Sequence, residues 1–311
     1  MTRIGVVGIK GSWSSEKLAD AVAEMTGFRL LIGMDEVRLD FDSGRAFFQG
    51  CDLTELDALI IKKIGATYSP DLLDRLEILR YLNSRGLPMF SRPGNIIGVL
   101  NRLTCTVTLQ SAGIPMPPTT ITEDVAEALK AVSEYGEAVF KPLYTSKARG
   151  MVVIRSGYGT REAIESYRSE HPSMYIQKKI DIPGKDLGVV FLGGEYLTTY
   201  ARCRVAGSWT TTTFFGGRYE PYDPPPAIID LAGRAQSCFG LDFTCVDVAE
   251  TSAGPVVFEV SAFGGFRGLE KAQGIDAAEK YVTYVLARLA SWERMPSQPL
   301  TSLAGCGQCT R

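Results

Sequence analysis

The sequence lacks the features that place a protein in a membrane or outside the cell. No apolar run approaches the roughly 18 residues of a membrane-spanning helix, and the first residues, MTRIGVVGIKG, contain no hydrophobic signal-peptide region. The seven cysteines are odd in number, and those outside the C-terminal stretch are scattered through apolar or helical context. We therefore expect reduced, mostly buried thiols and a cytoplasmic protein.

The sequence also lacks an excess of either positive or negative charge. The net charge is −2 and the pI is about 5.7, so the chain has no basic excess that would attract nucleic acid or anionic lipid. We expect substrates that are small molecules or peptides and no nucleic-acid or membrane partner, and a homo-oligomer is compatible with this composition. With 311 residues, of which 45% are hydrophobic and 22% charged, the chain is long enough for two or three lobes.

Several catalytic signatures are missing. The glycines at positions 5, 8 and 11 do not form GxGxxG, which disfavours a dinucleotide dehydrogenase, and the P-loop pattern GxxxxGK[ST] is absent. No GxSxG is present, and the single histidine, His171, lies in the polar stretch RSEHPSM, which indicates a solvated loop residue. Cys306 and Cys309 form one CxxC without two further zinc ligands, so a solvated tail is favoured over a metal or redox site.

Two acidic residues stand out among what is present. Asp247 lies in the apolar run FTCVDVAE and Glu259 in PVVFEVS, and the turn-like TSAGP separates the two predicted strands. In a hairpin centred on Ala253 the two acids are directly opposite, where like charges are destabilising unless a cation lies between them. Mg2+ prefers such hard oxygen ligands together with substrate phosphates. The alternative is one exposed acid beside one acid in an ordinary salt bridge.

The N-terminal third alternates between predicted strands and helices. RIGVVGI, DALIIKK and LPMF predict strands, and the stretches 15–25 and 70–86 predict helices, which indicates an open parallel sheet. From Asn95 to Gly113 the pattern predicts a single helix. The proline-rich IPMPPTT that follows it indicates a nearby domain boundary.

Basic and polar residues further along the chain are suited to a phosphate or nucleotide. Lys141 ends an apolar strand, where an inward amine needs an anion, and the loop 144–150 adds further cations and hydroxyls. The alternative for Lys141 is an edge-strand lysine that reaches water. Further candidates are Gln177 and Asp186, which flank a linker between two predicted strands, and the backbone groups of Lys179 and Ile180, which are placed to read an adenine edge. Arg202 and Arg204 on one strand face and Arg267 in a glycine-rich loop are candidates for binding phosphates or a carboxylate. Their alternatives are a turn carboxylate, a solvated strand face and a simple connection.

The order of five segments resembles the ATP-grasp superfamily, and within it the ribosomal-protein-S6 glutamate ligase (RimK-like) branch of carboxylate–amine ligases. The segments are FKPLYTSKARG, YIQKKI, KDLGVVFLGGEYLTTYAR, GLDFTCVDV and FEVSAFGGFRGLE, and the resemblance covers about residues 96–289. It implies the ATP-grasp fold, an α/β architecture with α+β lobes. Residues 1–95 would form an N-terminal open parallel-sheet domain, residues 96–185 a central lobe with the phosphate loop, and residues 186–290 a C-terminal lobe with metal ligands. The two lobes would sandwich ATP, and residues 291–311 would form a flexible tail.

The resemblance also implies a role for each matching residue. The expected ATP ligands are Lys141 on the α- and β-phosphates, Ser146, Lys147 and Gly150 in a mobile phosphate cover, Gln177, Lys179 and Ile180 at the adenine, and Asp186 at the ribose. Arg202 would lie near the transferred phosphate and act in catalysis together with Lys141. The ligands of Mg2+ or Mn2+ would be Asp247, Glu259 and Ser261. Arg204 and Arg267 would contact the substrate. In the implied ADP-forming reaction, ATP phosphorylates a carboxylate, and an amine or a thiol attacks the acyl phosphate. Such catalysis consists mostly of positioning and charge neutralisation.

The chain departs from the family pattern at several positions. They are Asn101 and Arg102 in place of Asp–Lys, Gly188 in place of arginine, Thr212, Phe214 and Phe215 in an Asn–x–His–Arg run, and Ser261 in place of a metal-binding asparagine. These changes predict an altered pair of substrates. The alternative is a regulatory or scaffold protein that binds ATP without catalysis.

Overall fold

The computed structural model describes residues 1–145, 148–212 and 216–292, apart from the side chain of Trp292. Within these ranges the strands form four sheets, of which three each support one part of the chain in sequence order. The predictions for Ser146, Lys147, Phe214, Phe215 and the CxxC tail lie outside the described residues. None of the helices in these ranges combines the length and apolar character that a membrane crossing requires.

The N-terminal domain is built on a four-stranded parallel sheet. Its strand order is β2 (Leu31–Ile32), β1 (Ile4–Val7), β6 (Ala58–Ile61) and β7 (Met89–Phe90). Helices α1 (Trp13–Thr26) and α2 (Asp71–Ser84) accompany it, and α2 buries leucines at positions 72, 76, 79 and 82, as helical periodicity requires. This open parallel sheet confirms the sequence prediction.

A small antiparallel sheet in the same domain was not predicted. It consists of β3 (Arg38–Asp40), β4 (Arg45–Phe48) and β5 (Cys51–Asp52). These strands are short and carry several charged residues, so no long apolar alternation marks them in the sequence.

The helix predicted from Asn95 to Gly113 is two helices, so that prediction was wrong. α3 (Pro93–Leu100) and α4 (Arg102–Ser111) are separated by Asn101, whose backbone is extended. The Asn101 side chain accepts a hydrogen bond from the Thr104 amide at 2.8 Å and so caps α4. The break makes Arg102 the first residue of the second helix.

The central lobe is an antiparallel sheet covered on one face by two helices. The strand order is β10 (Val152–Arg155), β9 (Glu137–Lys141), β11 (Met174–Lys178) and β8 (Thr119–Thr122), and the helices are α5 (Val125–Tyr135) and α6 (Thr160–Glu170). Phe140 and Ile176 point into the core beneath the helices. Because side chains alternate along a strand, Lys141 and Gln177 lie on the opposite face.

The C-terminal lobe is a five-stranded antiparallel sheet. The strand order is β14 (Arg218–Pro221), β13 (Glu195–Cys203), β12 (Lys185–Leu192), β15 (Phe243–Thr251) and β16 (Gly254–Ser261). Helix α7 (Pro226–Ser237) packs on the face that carries Val189 and Val246, and α8 (Phe266–Gln273) and α9 (Ala277–Trp292) pack on the other. The hydrophobic core between this sheet and helices α8 and α9 also contains Ile4 and Val6 of β1, so the N-terminal sheet packs against this lobe.

Candidate active site

Asp247 and Glu259 are directly opposite on β15 and β16, which confirms the predicted pairing. The turn, however, is not centred on Ala253. Thr251 pairs with Gly254 across a two-residue turn, and the register shifts by one residue between Asp247 and Val248. A β-bulge at this point gives β16 one extra residue and brings the two acids back into opposition.

Each carboxylate forms an ion pair with an arginine. Nη1 of Arg102 lies 2.6 Å from Oε2 of Glu259, and Nη2 of Arg202 lies 3.0 Å from Oδ1 of Asp247. Arg202 also pairs with Asp186, the residue opposite it across β12 and β13. The site is thus a row of charged side chains on one face of the sheet, in which the acids Asp247 and Glu259 are neighbours and each has its own arginine.

Burial governs the protonation of this row. It raises the pKa of the Asp247 carboxyl, an effect that Arg202 opposes and the charge of Glu259 reinforces. Burial acts to lower the pKa of the Arg202 guanidinium, but its carboxylate partners Asp186 and Asp247 outweigh burial and raise the pKa, so the group keeps its charge. A cation beside Asp247 would favour its charged form, as Arg202 already does.

Lys141 faces the row from the central lobe and is buried. Its Nζ donates a hydrogen bond to Oε1 of Gln177, whose amide donates to Thr119 Oγ1 at 3.0 Å and Tyr175 Oη at 3.3 Å. Burial, with a smaller contribution from the charge of Arg102, lowers the pKa of Lys141 to about 7. An anion bound next to this amine would raise its pKa again and favour its charged form.

Arg102 belongs to the site, although its sequence position predicted no role for it. Its guanidinium contacts the carbonyl oxygens of Pro142 at 3.5 Å and Thr145 at 3.4 Å, in addition to Glu259. It therefore connects the start of the phosphate loop to the carboxylate pair. A signal was available, because a cation in the first turn of a helix opposes the helix dipole unless an anion is near.

Other predicted nucleotide residues are partly in place. Asp186 is buried against Arg202, and Gly150, the last residue of the predicted phosphate loop, adopts a left-handed φ of 68°. The backbone N–H of Lys179 donates to the Glu137 carbonyl at 2.9 Å. That N–H is thus engaged within the protein, and the role of Lys179 at the adenine stays a prediction. Ile180 lies two residues after the end of β11 and is half-buried.

The predicted metal and substrate residues differ in position. Ser261 shares a strand face with Glu259, and its Oγ accepts a hydrogen bond from the Phe263 amide at 3.3 Å. Arg267 is exposed, with its guanidinium 5.1 Å from the centroid of the Trp13 ring. Arg204 lies beyond the end of β13, exposed beside Gly184, so the structure does not bring it to the carboxylates.

Gly188, where the family pattern has an arginine, is explained by packing. A Cβ atom at Gly188 would lie 2.4 Å from Cζ of the Tyr200 ring, and one at Gly268 would lie 2.5 Å from the same atom. The Tyr200 hydroxyl is 3.4 Å from Sγ of Cys245, two residues before Asp247. The tyrosine ring therefore fills the space that a larger residue at position 188 needs.

The donor set fits one hard divalent cation. Two opposed carboxylates and a nearby hydroxyl supply oxygen ligands of the kind that Mg2+ binds. In the described ranges no group of three or more His, Cys, Asp or Glu residues gathers around a point. The protein would therefore share the ion with phosphate oxygens and water.

The fold is the ATP-grasp fold of the ligases it resembles. The ATP-grasp ligase PsnB, in a complex with a precursor variant, Mg and ADP, superposes with a TM-score of 0.72 at 18% identity, covering 93% of this chain and 99% of that one. A RimK domain protein from Sphaerobacter thermophilus gives a TM-score of 0.69 at 22% identity, covering 92% and 100%.

Sequence comparison identifies the family. The RimK-like ATP-grasp domain model matches residues 100–285, more than half of the chain, so the protein belongs to that family. A tetrahydromethanopterin:alpha-L-glutamate ligase from Methanosarcina acetivorans is 26% identical over 320 residues, covering 92% of this chain and 99% of that protein. These relatives confirm the resemblance drawn from the five segments.

Proposed function

We propose that this protein is an ATP- and Mg2+-dependent ligase that joins a carboxylate to an amine through an acyl phosphate. The observation that carries the proposal is the convergence of Lys141, Arg102 and Arg202 on the opposed carboxylates of Asp247 and Glu259. Three cations can meet a triphosphate, and the two opposed acids supply oxygen ligands of the kind that Mg2+ prefers. Membership in the RimK-like family supports the same reaction class.

Each residue has a separate task in this proposal. Lys141 and Arg102 bind the phosphate chain, and Arg202 stabilises negative charge on the phosphoryl group during transfer. Asp247 and Glu259 would hold Mg2+, which would supply positive charge to offset that of the phosphates. Arg102 leaves Glu259 for the nucleotide, so the carboxylate becomes available as the ligand is bound.

The substrates are an acid and an amine that differ from those of the glutamate ligases. We assign the acid to the glycine-rich loop and Arg267, whose guanidinium is held on Trp13 and is accessible. A cleft of about 700 Å3 at the carboxyl ends of β1 and β2, with Asp35 and Asp71 among its lining residues, has room for an amino acid or part of a peptide. Named relatives act on tetrahydromethanopterin or are complexed with precursor peptides, which supports either size of acceptor.

Calorimetric titration of ADP with and without Mg2+ tests the nucleotide site. The wild-type protein should bind ADP at least tenfold more tightly with Mg2+, because the ion offsets the repulsion between the two carboxylates and the phosphates. A tenfold change corresponds to about 1.4 kcal/mol of binding free energy. Glu259→Gln should remove most of this difference. Glu250→Gln, which changes a carboxylate on the neighbouring strand β15 that accepts a hydrogen bond from the Tyr222 hydroxyl, should retain it. Equal Mg2+ dependence in all three proteins would contradict the proposed metal site.

The rival function is ATP binding for regulation or scaffolding without turnover. It is favoured by Gly188 and the other departures from the family pattern, because they change residues that usually meet substrate. ATP that stabilises the protein against heat, without ADP release across a broad acid and amine panel, would support this rival. Trapping of an acyl phosphate by hydroxylamine would exclude it.

A further inference from the structure

A buried lysine connects the N-terminal domain to the glycine-rich loop after strand β16. Lys62 follows β6 directly, and only 2% of its surface is exposed. Its Nζ donates a hydrogen bond to the carbonyl oxygen of Gly264 at 2.6 Å. The side chain thus crosses from the parallel sheet into the C-terminal lobe.

Aromatic rings enclose this amine. Its Nζ lies 3.8 Å from the centroid of the Phe266 ring and 5.5 Å from that of Phe243. The titratable groups that act on it are Lys63, the next residue in its own loop, and the Cys245 thiol on β15. Burial, followed by the charge of Lys63, lowers the pKa of Lys62 to about 7.

The loop that Lys62 contacts is confined from both sides. A Cβ atom at Gly264 would lie 3.0 Å from Cβ of Cys245 and 3.1 Å from the Phe243 ring, so the loop packs closely on β15. From the N-terminal domain, the Tyr68 ring meets the Phe263 ring edge-on at 6.5 Å. The backbone of residues 262–265 therefore has little freedom while Lys62 is in place.

Both ends of this loop carry residues of the proposed site. Ser261 precedes it, two positions after Glu259, and Arg267 follows it in the first turn of α8. We propose that Lys62 is a positioning residue for the ligase reaction, because its side chain fixes the loop 262–265 and thereby sets the positions of Ser261 and Arg267. The roles of those two residues rest on the proposed function, whereas the loop contact does not.

Proton linkage gives this contact a measurable signature. When the loop opens and water reaches Lys62, its pKa returns toward the ordinary value of about 10.4. Between pH 6 and pH 8 the open state then binds more protons than the closed state, so the closed state gains stability as the pH rises. Opening that hydrates the amine should become about tenfold rarer across this range.

Hydrogen exchange of the backbone amides at 263–267 tests the loop contact. After correction for the intrinsic pH dependence of exchange, the wild-type protein should gain about tenfold protection between pH 6 and pH 8. Lys62→Met should show no such gain. Lys62→Arg should also show none, since arginine keeps its charge, and this variant decides the matter if the methionine variant does not fold.

Lys17→Met is the matched control. Lys17 reaches the same lobe from α1 through ion pairs with Glu270 and Asp276, which raise its pKa, so its charge is constant across this range. This variant should keep the wild-type pH dependence. The same pH dependence in wild type and Lys62→Arg, or its absence in wild type, would overturn the assigned contact.

A kinetic readout tests positioning separately. In a hydroxamate assay with the accepted acid, Lys62→Met should raise the KM for the acid more than it lowers kcat. The affinity of the variant for Mg–ADP should stay within about twofold of the wild-type affinity. An unchanged KM would overturn the positioning role. Failure of the wild-type protein to bind Mg–ADP would count against the proposed function alone, because the exchange result does not depend on it.

Discussion

Nucleotide binding should draw a proton onto Lys141. In the free protein, burial lowers the pKa of this amine to about 7, so at pH 8 about nine-tenths of it is neutral. Phosphate oxygens next to the amine favour its charged form and raise the pKa again. ADP binding at pH 8 should therefore take up about 0.9 proton at this residue, and close to none at pH 6, where Lys141 is already charged in the free protein.

Calorimetry in buffers of different ionisation enthalpy measures this uptake. The quantity of interest is the difference between wild type and Lys141→Met, because proton changes at Asp247 and at the nucleotide cancel in it to first order. Lys17→Met, which alters a distant lysine that stays charged, should behave as wild type. An equal uptake in wild type and Lys141→Met at pH 8 would refute the assignment of Lys141 to the phosphates.

Two further predictions concern the stability of the site. Arg202→Met should lower the free energy of unfolding by about 3–5 kcal/mol, because it leaves the carboxylates of Asp186 and Asp247 without their cation. Urea denaturation measures this loss. A loss below about 1 kcal/mol would mean that water solvates the two carboxylates and would contradict the reasoning. Gly188→Ala should cost about 1–3 kcal/mol through its clash with Tyr200, seen in the same measurement. Gly233→Ala, whose Cβ would meet only ordinary contacts in α7, should be neutral or stabilising, and similar losses in both variants would contradict the packing argument.

The carboxylate pair shows both the reach and the limit of sequence reasoning. Short apolar runs rich in valine and phenylalanine located β15 and β16, and a symmetric hairpin brought Asp247 opposite Glu259. The structure reaches the same pairing through a shorter turn and a bulge, which depend on backbone geometry rather than on residue type. A pairing could be predicted, whereas the turn that produces it could not.

Residues whose roles depend on distant partners were harder to predict. Arg102 was noted only as a departure, and its contact with Glu259 joins positions 157 residues apart. The break at Asn101 was missed because apolar spacing continues across it, although asparagine is a favourable cap. The burial of Lys62 was not predicted, because a lysine after a buried strand is usually solvated. Only the packing of the N-terminal domain on the C-terminal lobe buries its side chain.

Trapping of an acyl phosphate tests the central claim most directly. Wild-type protein incubated with ATP, Mg2+, hydroxylamine and a panel of amino acids, small acids and acidic peptides should form a hydroxamate and release ADP in equal amounts. Asp247→Asn should abolish both products, and Glu250→Gln should retain them. ATP-dependent thermal stabilisation without hydroxamate or ADP from any acid in the panel would contradict a ligase and leave the ATP-binding regulator in its place.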